Sequence, residues 1–175
     1  MKKRLTVLPL FILFALLLSA CSAGQTISGA GQLNDGKPAP PFQLVDLQGE
    51  THDLSEYEGQ KVYIKFWASW CSICLAGMNE LNTLAGEEPD FEVLTIVSPD
   101  SNAEKSSESF AKWFEGVDNT ENIKVLLDEG GPAFDEYGII GYPTSVFIGS
   151  DGVMVKSQTG HVSNEQIYET FENIQ

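Results

Sequence analysis

The spacing of hydrophobic residues changes several times along the chain, and each change predicts an element. Residues 5–18 form an apolar stretch, shorter than the roughly 20 residues a membrane-spanning helix needs. Residues 22–37 are rich in Gly, Ser, Ala, Gln and Asn, without period, and predict a flexible tether. Phe42, Leu44 and Asp46 alternate with Gln43, Val45 and Leu47, a strand that turns at Gln48-Gly49-Glu50 and returns over 51–54 as a hairpin. Leu54-Ser55-Glu56-Tyr57 reads as a capped helical turn. The β-branched and aromatic run 61–67 predicts a buried central strand. Leu75, Met78, Leu81 and Leu84 recur at helical spacing and predict a helix over 72–85 with these four on its core face.

The second half continues the alternation. A strand over 91–97 ends at Ser98-Pro99-Asp100-Ser101, and 103–116 is an amphipathic helix with Phe110, Trp113 and Phe114 inward. A strand over 123–127, a Gly130-Gly131-Pro132 break and a short helix over 133–137 follow. The strands 145–148 and 153–157 flank the tight turn Ser150-Asp151-Gly152 and form an antiparallel hairpin. Gly160 breaks the chain, and Ser163 caps a last helix over 164–173 with Ile167, Tyr168 and Phe171 on its apolar face. The order β-β-β-α-β-α-β-α-β-β-α predicts an α/β fold: a central mixed sheet flanked by helices, over 38–175.

Composition changes the picture at the N-terminus. Lys2-Lys3-Arg4 precedes the apolar stretch, which ends in Leu18-Ser19-Ala20-Cys21. Small residues before a cysteine resemble a bacterial lipobox. That resemblance implies a signal peptide over 1–20, cleavage before Cys21 and lipid on its sulfur, with 21–37 as the tether. An ordinary secretory signal with Cys21 free, or an uncleaved anchor, are the alternatives. With Cys21 lipidated, the chain's other two cysteines are left to each other.

The formal charge is −15, and loss of the three leader cations takes it to about −18. Such a balance argues against nucleic acid, whose phosphates need Lys and Arg. Arg4 is the chain's single arginine, so the mature protein has no guanidinium chemistry.

Cys71-Ser72-Ile73-Cys74 carries the chemistry. A strand, a C-x-x-C pair and a helix in succession are the setting in which this spacing reads as a redox couple. Free N–H groups at a helix start stabilise a thiolate on the first cysteine. Cys71 is the expected attacking thiol and Cys74 the resolving one, with no cofactor beyond their disulfide.

These residues resemble the thioredoxin superfamily, and more closely its TlpA/ResA-like branch. The resemblance rests on Ala39-Pro40-Pro41-Phe42, Leu44-Val45-Asp46-Leu47-Gln48-Gly49-Glu50, Glu58-Gly59, Phe66-Trp67-Ala68-Ser69-Trp70-Cys71, Gly141-Tyr142-Pro143-Thr144 and Gly160. With the lipobox, the chain resembles the extracellular thioredoxin lipoproteins of Gram-positive bacteria. The resemblance implies a thioredoxin-like fold with an N-terminal β-hairpin extension, held at the outer face of the cytoplasmic membrane. It implies a monomeric thiol–disulfide reductase, fed by a CcdA-type membrane protein and serving client disulfides, notably in methionine sulfoxide reductase. It also implies roles: Trp70 beside the nucleophile, Pro143 as a cis-proline facing the disulfide, and Tyr142 as the residue whose backbone pairs with a client strand.

The departures are specific. Lys65 stands where thioredoxins carry a buried aspartate, Gly77 where ResA-like proteins often carry a glutamate, and Asn79 where the helix-kinking proline is found. The usual proton partner and helix kink are therefore expected to be missing. Lys65, if buried near Cys74, favours its thiolate; the alternative places it in solvent past a strand edge. His161, next to Gly160, is a candidate for tuning Cys71 or contacting a client, or a plain surface histidine. Other functions are a DsbA-like disulfide-forming oxidase, an apocytochrome c reductant, a peroxiredoxin or a metal-binding lipoprotein. The peroxiredoxin reading lacks its threonine and arginine. The metal reading has only His52 and His161 to complete a cysteine pair.

Overall fold

Alternation along the central strand decides what each face of the sheet carries. The computed structural model describes residues 33–175, so the leader, Cys21 and most of the tether lie outside the described residues. The strands are β1 (Lys37–Pro38), β2 (Gln43–Asp46), β3 (Thr51–Asp53), β4 (Lys61–Phe66), β5 (Phe91–Val97), β6 (Val125–Leu127), β7 (Thr144–Ile148) and β8 (Val153–Thr159). They form one mixed sheet in the order β1-β8-β7-β4-β5-β6-β2-β3. β4 pairs parallel with β5 and antiparallel with β7, and the β2–β3 hairpin joins the sheet antiparallel to β6. The helices are α1 (Ser72–Ala76), α2 (Met78–Gly86), α3 (Ser107–Phe114), α4 (Pro132–Glu136) and α5 (Asn164–Glu172).

On one face Tyr63 and, just past β4, Trp67 pack with Met78, Leu81 and Leu84 of α2, Phe110 of α3, and Ile167 and Phe171 of α5. On the other, Val62, Ile64 and Phe66 pack with Phe42, Leu44, Ala133 and Tyr137. β4 is thus buried on both faces, as a strand inside an α/β sheet must be. Each of these large side chains contributes about 1.5–3 kcal/mol by leaving water.

The predicted α/β order and both hairpins are observed, and the differences reshape the helices and the domain edge. The single helix expected over 72–85 is two, broken at Gly77, whose ψ is 3°. The Gly77 N–H reaches back to the Cys74 carbonyl (3.2 Å), an i to i+3 bond that tightens the turn. The break expected to vanish with the proline is therefore present, made by a glycine. Leu75, on the near side of the break, is exposed rather than on the core face. α3 begins at 107 rather than 103, because the Ser106 hydroxyl accepts from the Ser109 N–H and caps it. Its Trp113 is only partly buried, packed beside Trp67 at 6.4 Å between ring centroids.

The folded body also starts earlier than 38. Asn34 is buried, and its Nδ2 donates to Asp151 Oδ1 (2.9 Å) and to the Gln175 carbonyl (3.0 Å). The Gln175 N–H donates back to Asn34 Oδ1 (2.9 Å), and Lys37 pairs with Met154 across β1–β8. The last residues of the expected tether are thus part of the domain, since their polar groups find partners more than a hundred residues away. Asn34→Ala leaves those buried groups unmatched and is expected to cost about 1–3 kcal/mol in urea unfolding; a change within about 0.3 kcal/mol would count against this clasp.

Candidate active site

β4 runs directly into the cysteines. The Trp67 N–H donates to the Ile96 carbonyl (3.1 Å), which extends the strand by one residue before the chain turns at 68–70. Cys71 is the N-cap of α1, and the Cys74 N–H points at its Sγ (3.2 Å). The two sulfurs form a disulfide with Cα atoms 5.2 Å apart. Cys71 keeps 7% of its surface open and Cys74 none. Both cysteines are therefore buried, and Cys71 is the one that still reaches the surface.

The second wall comes from β7, whose Thr144 pairs with Phe66. Tyr142–Pro143 is a cis peptide bond, as expected. Gly160, with φ +104°, donates its N–H to the Pro143 carbonyl (2.8 Å), so the turn after β8 fixes the proline loop. A residue with a Cβ is strained at that φ. The Trp70 ring, 53% exposed, meets the Tyr142 ring edge-on with centroids 5.7 Å apart. Ile73 stands exposed on the same turn as the cysteines.

Under the helix break lies a cluster of charged groups. Lys65 is 3% exposed, which decides against the solvent-facing alternative. Loss of hydration holds its ammonium below the usual lysine range, and the Glu80 carboxylate partly opposes that shift. A Cβ on Gly77 would lie 3.2 Å from His161 Nδ1 and 3.6 Å from Lys65 Nζ, so these two side chains converge where Gly77 has none. His161 Nε2 lies 3.2 Å from Glu80 Oε2, and the Asn164 N–H donates to Glu80 Oε1 (3.0 Å). His161 is therefore braced by Glu80, a contact that no sequence spacing signals.

A second set of groups escaped the sequence reading. Glu104, in the loop after β5, accepts from the Ser69 N–H (2.5 Å) and the Ser69 hydroxyl (2.6 Å). A glutamate within a polar, turn-rich stretch carries no mark of burial, so nothing in the pattern pointed to it. His52 is structural: its ring bonds Asp46 (2.9 Å) and faces the Tyr57 hydroxyl (3.3 Å). Among the described residues, the group of His, Cys, Asp and Glu close enough to share an ion is Asp46, Glu50 and His52. It includes neither cysteine, and no metal function is built on it.

A disulfide at a helix start, with a cis-proline loop whose Tyr142 ring meets Trp70 of the same turn, is the equipment of dithiol–disulfide exchange. The Redoxin family profile matches residues 34–173, four-fifths of the sequence. The chain belongs to the Redoxin family. A protein of Haemophilus influenzae described only as uncharacterized is 47% identical over 126 residues, 71% of this chain and 80% of its own. The thiol-disulfide oxidoreductase ResA of Bacillus subtilis is 30% identical over 162 residues, 88% of this chain and 86% of its own. Among solved structures, the exposed lipoprotein thioredoxin of Streptococcus pneumoniae is 41% identical with TM-score 0.74, covering 77% of this chain and all of that one. This redoxin is a TlpA/ResA-like member of the thioredoxin superfamily and a thiol–disulfide oxidoreductase.

Lys65 gives a pH signature. With its ammonium held below the ordinary lysine range by burial, the unfolded chain binds one more proton between the folded and unfolded pKa values. Stability then rises with pH across that window, and the burial cost is fully felt below it. Lys65→Met is expected to be more stable at pH 7 by about 1 kcal/mol or more, and to lose the rise toward pH 10. Parallel stability–pH curves for the two proteins would contradict the assignment.

Proposed function

We propose that the protein works outside the cytoplasm, lipid-anchored through Cys21, as a reductase of disulfides in other surface proteins. The observation that carries this reading is the asymmetry of the site. Cys71 opens beside an apolar rim of Trp70, Ile73 and Tyr142 suited to a protein client, while Cys74 is enclosed beneath it. In the reduced protein the Cys71 thiolate attacks a client disulfide, forming a mixed disulfide and releasing one client thiolate. Cys74 then loses its proton and attacks the Cys71 sulfur, releasing the second client thiolate and closing Cys71–Cys74. Two electrons pass to the client. Pro143 and Tyr142 hold the client strand against Cys71, Gly160 keeps their loop in place, and Lys65 favours the thiolate on Cys74.

The direction is supported by the TlpA/ResA-like body. The anchor is supported by the lipobox-like Leu18-Ser19-Ala20-Cys21 and by the exposed-lipoprotein description of the pneumococcal neighbour. Electrons in this reading come from a CcdA-type membrane protein, and methionine sulfoxide reductase is the leading client.

Redox titration of Cys71–Cys74 is expected to give a potential nearer about −270 mV, as in thioredoxin, than about −120 mV, as in DsbA. A DsbA-like value would replace the reductase with an oxidase. Cys74→Ala is expected to stall clients as mixed disulfides on Cys71, and a methionine sulfoxide reductase should be among them. Labelled palmitate is expected on the protein and lost in Cys21→Ala; label that persists would remove the anchor.

A further inference from the structure

We infer that the loop between β5 and α3, residues 98–106, clamps the wall of the redox site that carries Cys71, with Glu104 as its positioning residue and Lys105 as its counter-charge. The inference rests on Cys71 being the attacking thiol.

The grip is polar and buried. The Glu104 side chain is 2% exposed. It accepts from the Ser69 N–H (2.5 Å), the Ser69 hydroxyl (2.6 Å) and the Lys105 N–H (2.7 Å). Lys105 Nζ donates to the same Ser69 hydroxyl (2.5 Å), lies 3.8 Å from Glu104 Oε1 and sits over the Trp113 ring at 5.0 Å. One serine, two residues before Cys71, is thus held by a carboxylate and an ammonium together. Burying a carboxylate is costly unless charge-assisted hydrogen bonds offset it, and here they converge on Ser69.

The start of the same loop is fixed separately, where the Ser98 hydroxyl donates to the fully buried Asp128 (3.0 Å). Between these two anchors the loop is sharply bent. Asp100, Asn102 and Ala103 are three of the five non-glycine residues with left-handed backbone among the described residues, with φ of 56°, 49° and 63°. Such conformations persist where the surroundings over-determine them, commonly at functional sites.

The consequence is electrostatic as well as geometric. The charged and titratable groups around the redox turn are Glu104 and Lys105 from this loop, Lys65 from β4, Glu80 from α2, His161 from the turn after β8, and Tyr142 from the proline loop. Glu104 and Lys105 are the pair bonded to the Cys71 segment itself. A carboxylate there opposes the Cys71 thiolate, and an ammonium favours it. Neutralising one leaves the other uncompensated, so the two substitutions act with opposite sign.

The test uses the full reduced chain and follows iodoacetamide alkylation of Cys71 against pH, with each adduct mapped by mass spectrometry. Glu104→Gln is expected to lower the Cys71 pKa and raise the alkylation rate at pH 6 by about threefold, and Lys105→Met to lower that rate by a similar factor. Thermal unfolding of each variant, run alongside, shows that the chain is folded. A purely structural loop would leave the pH profile in place or move both variants in the same direction, and either result overturns the inference. Glu104→Asp, which keeps the charge, is expected to stay within twofold of the parent; a shift as large as that of Glu104→Gln would also overturn it. A first adduct on Cys74 would instead remove the assignment of Cys71 on which the inference rests.

Discussion

The burial of β4 on both faces is the constraint on which the redox site depends. Val62, Ile64 and Phe66 fill one core, and Tyr63 and Trp67 fill the other. β4 is tied laterally to β5 and β7, so its register is fixed from four directions. Both walls of the site follow from that register. The chain leaving β4 carries Trp67 to Cys71, and the residue opposite Phe66 is Thr144, directly after the cis Pro143. A slip of one residue would exchange the two faces of β4 and carry the cysteine turn away from the proline loop. The chemistry at Cys71 and Cys74 is thus an end effect of a strand that has no freedom to move.

Much of this was legible because local pattern and global fold agree. The alternation in β2, the apolar run of β4 and the periodicity of Met78, Leu81 and Leu84 each signalled the element that formed. The C-x-x-C pair and Gly141-Tyr142-Pro143-Thr144 marked two loops that the fold then set against each other. Lys65 was half legible: period two places it between Tyr63 and Trp67, on the face that α2 covers, yet a lysine argues against burial until the helix above is known. What stayed hidden was long-range polar matching. Asn34 with Asp151 and Gln175, Glu80 with His161, and Glu104 with Ser69 have no shared spacing and no composition signal. They are decided by three-dimensional proximity alone. The break at Gly77 is hidden for a related reason: a proline marks a kink in a sequence, whereas here a glycine supplies it and leaves room for His161 and Lys65.

The placement of charge around the disulfide follows from a scarcity. Residues 21–175 are strongly acidic and contain no arginine, so their few lysines are their only permanent side-chain cations. One of them, Lys65, is spent inside the protein, where loss of hydration works against its charge. A methionine would occupy the same stem volume without that cost. Packing alone therefore does not account for the lysine, and the role proposed for it is electrostatic: a cation beneath the helix break would stabilise negative charge when Cys74 must become a thiolate. On the Cys71 side Ser69 is held by the Glu104 carboxylate and the Lys105 ammonium together, so two charges of opposite sign offset one another beside that segment. The proposed role of Lys65 falls at a different step, the second displacement, when Cys71 is already bonded to the client and Cys74 must give up its proton.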